Sequence, residues 1–258
     1  MPTAAGLYYF AHGADDLARP PVLLIHGAGG HHLYWPPQVR RLPGERIMAV
    51  DLPGHGKSAG VGHHTIQDYA ASIVDFMDAL NLSRAVLIGH SMGGAIALEV
   101  AIRWSQRVLG LGLISSAERL RVSPDLLRNA ADPLKAAEAV HMVIEYSFAP
   151  GTHARLKELA EQRMAEARSS VLYGDFLACD AFDPGNGAAH IFVPTLVLFG
   201  SQDKMVPLQS GKALAEQITG ARLEVVEAAG HMVMLEQPDR VAALLGEFLQ
   251  GIRYQPGK

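Results

Sequence analysis

The sequence predicts an α/β fold in which helices flank a mostly parallel central sheet. Short apolar runs alternate with helical patterns along the chain, which is typical of strands joined by crossover helices. The runs are hydrophobic almost throughout, as expected of strands that are covered on both faces. A long helical stretch without such runs predicts an insertion between two strands, and 258 residues are enough for one core domain that carries it.

Six apolar runs are the predicted strands, and an amphipathic helix follows the second of them. Apolar residues recur at spacings of three and four from Thr65 to Leu80, and Thr65 and Asp68 are placed to cap the first turn. The predicted strands lie at 21–27, 46–51, 84–90, 108–115, 194–200 and 221–227.

The helical insertion is predicted between the fourth and fifth of these strands. Ser123-Pro124 and Asp132-Pro133 each place a proline where a helix can begin, and helical segments at about 154–168 and 169–182 follow. We therefore expect residues 1–116 and 191–258 to form the core and residues 117–190 to form the insertion.

Charge and composition exclude several classes of protein. The 22 basic residues against 26 acidic ones give a net charge of −4, which argues against binding to a nucleic-acid backbone. No stretch approaches the roughly 18 apolar residues of a membrane span. The segment before Arg19 has no Lys or Arg, so it lacks the basic start of a secretory signal, and the single Cys179 fits a reducing compartment. We expect a cytoplasmic protein.

The pentapeptide from Gly89 to Gly93 has the pattern G-x-S-x-G between a predicted strand and a helical pattern. In that context the pattern predicts a sharp turn that projects the hydroxyl of Ser91 out of the sheet. The start of the following helix offers unpaired N–H groups that favour negative charge. An incidental serine in a glycine-rich turn is the alternative, which the strand and helix on either side disfavour.

A serine nucleophile needs a base, and the base needs a group that orients it. His231 follows the last predicted strand, and Asp203 follows the strand before it. Because loops at the carboxyl ends of parallel strands meet at one edge of a sheet, we expect Ser91, Asp203 and His231 to lie close together.

Together these motifs resemble the α/β-hydrolase fold superfamily over residues 20–249. The motifs are specific for the superfamily and poorly specific for a substrate. The matching segments are HGAGG at 26–30, DLPGHGKS at 51–58, GHSMGG at 89–94, GSQDKMVP around Asp203 and GHMVMLEQP around His231.

The resemblance implies the role of each site residue. Ser91 corresponds to the nucleophile, His231 to the general base and Asp203 to the acid, and the backbone N–H groups of Ala28 and Met92 correspond to the oxyanion hole. The insertion resembles a helical cap over the site. The implied activity is that of a serine hydrolase acting on carboxylic esters or related acyl bonds, with neither cofactor nor metal.

Other chemistries use the same machinery and stay open. These are lactone opening, thioester or amide hydrolysis, C–C bond hydrolysis, and cofactor-free perhydrolysis with halide oxidation. The C–C cleaving relatives commonly carry Trp directly after the catalytic histidine, and Met232 in that position disfavours this activity. A receptor that keeps the fold but binds a ligand without turnover is the alternative outside enzymes.

The sequence disfavours a dinucleotide-binding site and a metal site. HGAGG followed by Asp51 could suggest dinucleotide binding, but His32 stands where the third glycine of that pattern belongs. The 12 histidines form neither H-E-x-x-H nor a Cys/His cluster, so we expect loop and surface histidines rather than a metal site. We expect Asp51 and Ser58 to be structural and His90 to pack near the turn.

The insertion itself suggests the class of substrate. Its acidic residues Asp175, Asp180 and Asp183 are expected to be solvated, and solvation is favoured over anion binding for Arg119, Arg121 and Arg128. Its apolar residues predict either a pocket for a hydrophobic acyl or aryl group or a surface that docks the insertion on the core. They are Leu126, Leu127, Val140, Val143, Ile144, Phe148, Leu172, Phe176 and Leu177.

Overall fold

A central sheet organises the protein. The computed structural model describes residues 2–13 and 19–254; the rest of the predicted core, at 1, 14–18 and 255–258, lies outside the described residues. The strands are β1 (Thr3–Ala4), β2 (Leu7–His12), β3 (Pro21–Ile25), β4 (Arg46–Val50), β5 (Ala85–His90), β6 (Val108–Ile114), β7 (Thr195–Gly200) and β8 (Arg222–Val226).

Within the described ranges these strands form one sheet in the order β1-β2-β4-β3-β5-β6-β7-β8. Neighbouring strands from β4 to β8 run parallel, and all six predicted strands are among them. The mostly parallel sheet predicted from the sequence is therefore confirmed. The parallel arrangement brings the loops after β3, β5, β7 and β8 to one edge of the sheet.

The antiparallel edge of the sheet was not predicted from the sequence. β1 and β2 pair with each other, and β2 pairs with β4, both in antiparallel register. Continuous apolar runs predict only strands that are covered on both faces. β2 is only partly buried towards its end, so its sequence LYYFAH carries a weaker signal.

Helices cover both faces of the sheet. β3 shows the two sides: Leu23 and Ile25 pack into one buried cluster, and Val22 and Leu24 pack into the other. The helices are α1 (Pro37–Arg40), α2 (Ile66–Ala79), α3 (Met92–Arg103), α4 (Pro124–Ala131), α5 (Ala136–Ser147), α6 (Ala154–Ala165), α7 (Ser169–Ala181), α8 (Leu208–Gln217), α9 (Val233–Glu236) and α10 (Pro238–Gln250).

The predicted capping residues do cap α2. The Thr65 hydroxyl accepts a hydrogen bond from the N–H of Asp68 at 3.1 Å and donates one to the Asp68 carboxylate at 2.6 Å. The apolar face of the helix, which includes Ile66, Tyr69 and Ile73, is fully buried. Local sequence therefore fixes where this helix begins and which side it buries.

Helices α4 to α7 lie between β6 and β7, where the sequence predicted an insertion. α4 begins at Pro124, and Ser123 caps it by accepting the N–H of Leu126 at 3.2 Å. A helix also begins at Pro133, where Asp132 accepts the N–H of Leu134 at 3.0 Å; its first turn is a 3-10 helix, and α5 follows from Ala136. No helix of the described residues is long and apolar enough to cross a membrane.

Candidate active site

Ser91 occupies a sharp turn between β5 and α3. Its φ of +53° and ψ of −119° are rarely adopted by a residue with a side chain. The turn closes because its neighbours are glycines: a Cβ atom on Gly89 would overlap the carbonyl oxygen of Gly93, and one on Gly93 would overlap that of Ile25. The Ser91 hydroxyl makes no capping bond to α3, so it is free to face the adjacent cavity.

His231 and Asp203 contact each other at the same edge of the sheet. The Nδ1 of His231 lies 3.0 Å from Oδ2 and 3.2 Å from Oδ1 of Asp203. The Asp203 side chain is fully buried and the His231 side chain is nearly so. Because an ionised carboxylate only accepts, Nδ1 carries the proton and Nε2 is left as the basic nitrogen.

The environment keeps Asp203 ionised. Burial alone would raise the pKa of its carboxyl group, but the nearby charge and hydrogen bond of His231 lower it, and so does the N–H of Val206. The net effect is a pKa below the ordinary value for aspartate. Asp203 is thus a permanent negative charge against the imidazole at neutral pH.

Ser91 and His231 line one cavity, together with Ala28. Among the hydrogen bonds of the described residues, none joins the Ser91 hydroxyl to the imidazole of His231. Catalytic hydrogen bonds are often long without substrate and shorten once it binds. The arrangement therefore brings the three predicted residues to one site.

His90 positions the loop that carries His231. Its Nε2–H donates to the backbone carbonyl of His231 at 3.0 Å, and the two rings pack with centroids 4.8 Å apart. Burial, with the neighbouring His231 charge, lowers the pKa of His90 to about 3. His90 is therefore neutral, and it packs beside the turn as the sequence analysis expected.

Two backbone N–H groups flank Ser91. Those of Ala28, in the loop after β3, and Met92, at the first position of α3, have no partner among the hydrogen bonds of residues 2–13 and 19–254. The loop comes close to the nucleophile, since a Cβ atom on Gly27 would lie 3.2 Å from the Cβ of Ser91. Such unpaired donors can receive a developing negative charge.

The cavity above Ser91 has a volume of about 410 Å³ and a mostly apolar lining. Of the apolar insertion residues, Leu126, Val143 and Phe176 line it, whereas Val140 and Phe148 are buried in the packing beneath. Both predicted uses of the apolar residues, pocket and docking surface, are therefore present in the insertion.

Charged side chains also reach the cavity. Asp125 is paired with Arg128, while Arg121 and Lys204 complete the charged lining. Arg121 donates to the backbone carbonyl of Asp180 at 2.9 Å. Arg121 is exposed, as expected, but it lies in the loop before α4 rather than on a helix face.

Two further expectations were wrong. Asp175 is fully buried rather than solvated, and it accepts hydrogen bonds from Gly29, His55 and Tyr69. Three of the histidines expected on loops and surfaces are buried; these are His26, His32 and His55. The histidine of DLPGHG was the available signal for this network, but its partner lies 120 residues further along the chain.

His31, His32 and Asp51 bring three possible metal-ligating atoms within 4.8 Å of one another. Asp51 already accepts from the backbone N–H and ring Nδ1–H of His32 and from the N–H of Lys57, at 2.6 to 2.9 Å. A cation would have to displace these bonds. The geometry therefore favours the structural role expected for Asp51, holding the loop after β4.

The sequence profile of the alpha/beta hydrolase family matches residues 22–244. The chain belongs to the alpha/beta hydrolase family. This membership confirms the predicted fold and the prediction that the chain is a hydrolase.

Similar members of the alpha/beta hydrolase family include lactonases and esterases. The 3-oxoadipate enol-lactonase 1 of Acinetobacter baylyi is 27% identical over 91% of this chain and 90% of that protein. The pimeloyl-(acyl-carrier protein) methyl ester esterase of Neisseria meningitidis serogroup B is 31% identical over 89% of this chain and 93% of that protein. The enol-lactonase structure from Burkholderia xenovorans LB400 matches with a TM-score of 0.88 at 26% identity, covering 95% of this chain and 96% of that one.

Proposed function

We propose that the protein is a cofactor-independent serine hydrolase of carboxylic esters. Ser91 is the nucleophile, His231 the general base and Asp203 the group that orients it. The observation that carries the proposal is the buried contact between Asp203 and His231 Nδ1, which leaves Nε2 free beside the cavity that Ser91 lines. A carboxylate on Nδ1 and a hydroxyl near Nε2 form the arrangement that activates a serine.

The reaction proceeds through an acyl-enzyme. The Ser91 oxygen attacks the carbonyl carbon while Nε2 of His231 takes the hydroxyl proton, and the carbonyl electrons move to the oxygen. Collapse of this tetrahedral species breaks the ester bond, and the leaving alcohol takes the proton from Nε2. Water then attacks the acyl group, giving its proton to Nε2, and the second collapse releases the acid and returns the proton to Ser91.

The N–H groups of Ala28 and Met92 stabilise both tetrahedral species. Each is unpaired in the described part of the chain and can donate to the oxyanion. Loss of one such donor typically costs about 2.7–4 kcal/mol of transition-state stabilisation. Asp203 stabilises the imidazolium that forms at His231 and holds it in the reactive tautomer.

The substrate is a small ester with a hydrophobic acyl or aryl group. The apolar lining and a volume of about 410 Å³ support a small molecule, and the helices over the cavity, the proposed cap at 117–190, supply much of that lining. The proposal includes a reducing, cytoplasmic location, which the unpaired Cys179 fits.

Lactone opening is the second candidate. The specific observation in its favour is the similarity of the chain, over nine-tenths of its length, to the 3-oxoadipate enol-lactonase of Acinetobacter baylyi. A lactone is a cyclic ester, so the same nucleophile, base and oxyanion donors would serve. Comparing kcat/KM for open-chain esters and lactones of matched carbon number separates the two candidates.

Covalent labelling of Ser91 tests the proposal. A fluorophosphonate probe should label the wild-type protein and the exposed-serine control Ser170→Ala, and should not label Ser91→Ala. Turnover of p-nitrophenyl esters should disappear in Ser91→Ala while the melting temperature stays close to that of the wild type. Unchanged turnover in Ser91→Ala would overturn the assignment, and ligand-induced stabilisation without any labelling would indicate a receptor.

A further inference from the structure

Helix α7 brings a buried carboxylate to the loop that carries Ala28. Asp175 is fully buried, and its Oδ2 accepts from the N–H of Gly29 at 2.8 Å and from Nε2 of His55 at 2.8 Å. Its Oδ1 accepts from the hydroxyl of Tyr69 at 2.6 Å. One side chain of the insertion thus connects three core segments, one of which is the loop beside Ser91.

The bonding partners of His55 fix its charge. Its Nδ1 lies 3.0 Å from the carbonyl oxygen of Pro53, which can only accept. Its Nε2 faces Asp175, whose oxygens already accept from Gly29 and Tyr69. Both ring nitrogens therefore face acceptor oxygens, which favours the protonated form of His55. Burial would lower the pKa of His55, but the charge and hydrogen bond of Asp175 raise it above the ordinary value.

Such a buried ion pair contributes little net stability. Removing two charges from water offsets much of their attraction, and apolar residues of similar size often serve as well. The side chains of His55 and Asp175 are both fully buried. The pair is better explained by what its geometry holds in place, which is the peptide N–H of Gly29.

The loop that Gly29 belongs to is a tight turn. The N–H of Gly30 donates to the carbonyl of Gly27 at 3.1 Å, so Ala28 and Gly29 are the two central residues. Gly29 has a φ of +63°, and a Cβ atom there would lie 2.9 Å from Leu172 of α7. The N–H of Gly29 donates to Asp175, so the peptide that joins Ala28 to Gly29 is tied to α7 next to the N–H of Ala28.

We propose that Asp175 is a positioning residue of the oxyanion hole. Its carboxylate holds the N–H of Gly29, which fixes the orientation of the turn and with it the direction of the neighbouring Ala28 N–H towards the oxyanion. The inference rests on the proposed function. Asp175 belongs to α7 and contacts the loop only while α7 packs against the core. Under this inference, stabilisation of the transition state requires that packing.

Asp175→Asn tests the inference with a side chain of nearly the same size and shape. The amide has no charge and one acceptor oxygen where the carboxylate has two, so the hydrogen bond to the N–H of Gly29 loses the charge that strengthens it. We expect kcat and kcat/KM for a p-nitrophenyl ester to fall together by about 10- to 100-fold, with KM within threefold. A boronic acid that adds to Ser91 as a tetrahedral anion should bind weaker by a similar factor. The control Asp183→Asn, at an exposed site that pairs with Arg119, should match the wild type.

The outcomes separate positioning from a structural role. A role in stability alone would lower the melting temperature and leave kcat per folded molecule and boronic-acid affinity unchanged, which would overturn the inference. If Asp175→Asn does not fold, Tyr69→Phe decides, because it removes the hydroxyl that fixes Oδ1 and so loosens the carboxylate that holds Gly29; it also removes the acceptor of the His63 N–H. A severalfold loss of kcat and of boronic-acid affinity in Tyr69→Phe supports positioning, and wild-type values overturn it.

Different experimental results would contradict the inference and the proposed function. Retained turnover in Ser91→Ala removes the nucleophile assignment and the oxyanion hole with it. Wild-type kinetics of folded Asp175→Asn, in an enzyme that needs Ser91, removes only the inference.

Discussion

The two oxygens of Asp203 have different partners. Oδ1 accepts the backbone N–H groups of Met205 and Val206, both at 2.9 Å, and Oδ2 is the oxygen nearer Nδ1 of His231. The backbone pair fixes the carboxylate in the loop after β7. A residue that the sequence identified only by its position is thus held by local hydrogen bonds in a defined orientation.

Replacing Asp203 by Asn tests the orienting role. The Asn oxygen should keep the two backbone N–H groups, which places the amide NH₂ against Nδ1 of His231. A donor there favours the tautomer with the proton on Nε2, which cannot take the proton of Ser91. We expect kcat to fall by about 10⁴-fold with the fold intact, measured by ester turnover and circular dichroism.

The matched control is Asp239→Asn, at an exposed position in the first turn of α10. It should retain wild-type kcat. A kcat of Asp203→Asn within tenfold of the wild type would show that this carboxylate does not set the tautomer.

Among the elements, the turn from β5 to α3 depends most on its glycines. Gly93 packs against the carbonyl oxygens of Ile25 and His26, so any side chain there must push β3 away. The G-x-S-x-G pattern places glycine at the positions where a side chain would not fit, and this is why the sequence predicted the turn. The backbone strain at Ser91 persists because the strand on one side and the helix on the other both hold it.

Gly93→Ala should therefore destabilise the protein and reduce its activity. We expect a loss of several kcal/mol in the free energy of unfolding, since the added methyl group overlaps backbone atoms that cannot move independently. Urea unfolding and ester turnover measure the two effects.

Gly246→Ala is the comparison for the same chemical change. Gly246 lies inside α10 with open space where its Cβ would be, so this substitution should stabilise the protein by about 0.5–1 kcal/mol. Equal effects of the two substitutions would contradict the steric explanation.

Helix α7 shows the limit of pattern analysis for an element. Its helical character was predicted, but its buried residues do not lie on one simple stripe, and they include Asp175 between Gly174 and Phe176. An aspartate in a helix of an insertion is ordinarily solvated. Only the packing of α7 against the loops after β3 and β4 turns this one into a buried acceptor.

For the whole molecule, buried histidines set the stability in acid. Burial, with the charge of nearby His55, lowers the pKa of His26 to about 3, and burial likewise lowers that of His90 to about 3. His26 uses both nitrogens when neutral: Nδ1–H donates to Gly27, and Nε2 accepts from the N–H of Leu52. The folded protein thus binds protons at these sites far less readily than the unfolded chain does.

The direction in which stability changes with pH follows from which state, folded or unfolded, binds more protons. Between pH 6.5 and about 3 the unfolded chain protonates both histidines and the folded protein protonates neither. Their contribution to stability is fully present above pH 6.5 and is lost as the pH falls. Together they should lower the free energy of unfolding by about 2.7 kcal/mol per pH unit in that range. The pKa of His55 is raised in the folded protein, so below pH 6.5 this histidine is protonated in both the folded and the unfolded state. It therefore does not change how the free energy of unfolding depends on pH in that range.

His26→Gln isolates one of the two contributions. The glutamine oxygen can still accept from Leu52, so the fold should persist with reduced stability at pH 7. The slope of the unfolding free energy between pH 6.5 and 4.5, measured by urea titration, should drop by about 1.4 kcal/mol per pH unit. A slope identical to the wild type would contradict the assignment of acid sensitivity to His26.

The sequence by itself determined the parallel strands, the turn at Ser91 and the residues Asp203 and His231. Each follows from a local pattern, because apolar runs, capping residues and glycines at fixed spacing act over a few neighbouring positions. The tertiary structure alone decided that Asp175 is buried against Gly29, which histidines lose contact with water, and which insertion residues line the cavity. The partners of Asp175 lie 146, 120 and 106 residues away, and no local spacing encodes a contact that forms only when distant segments pack together.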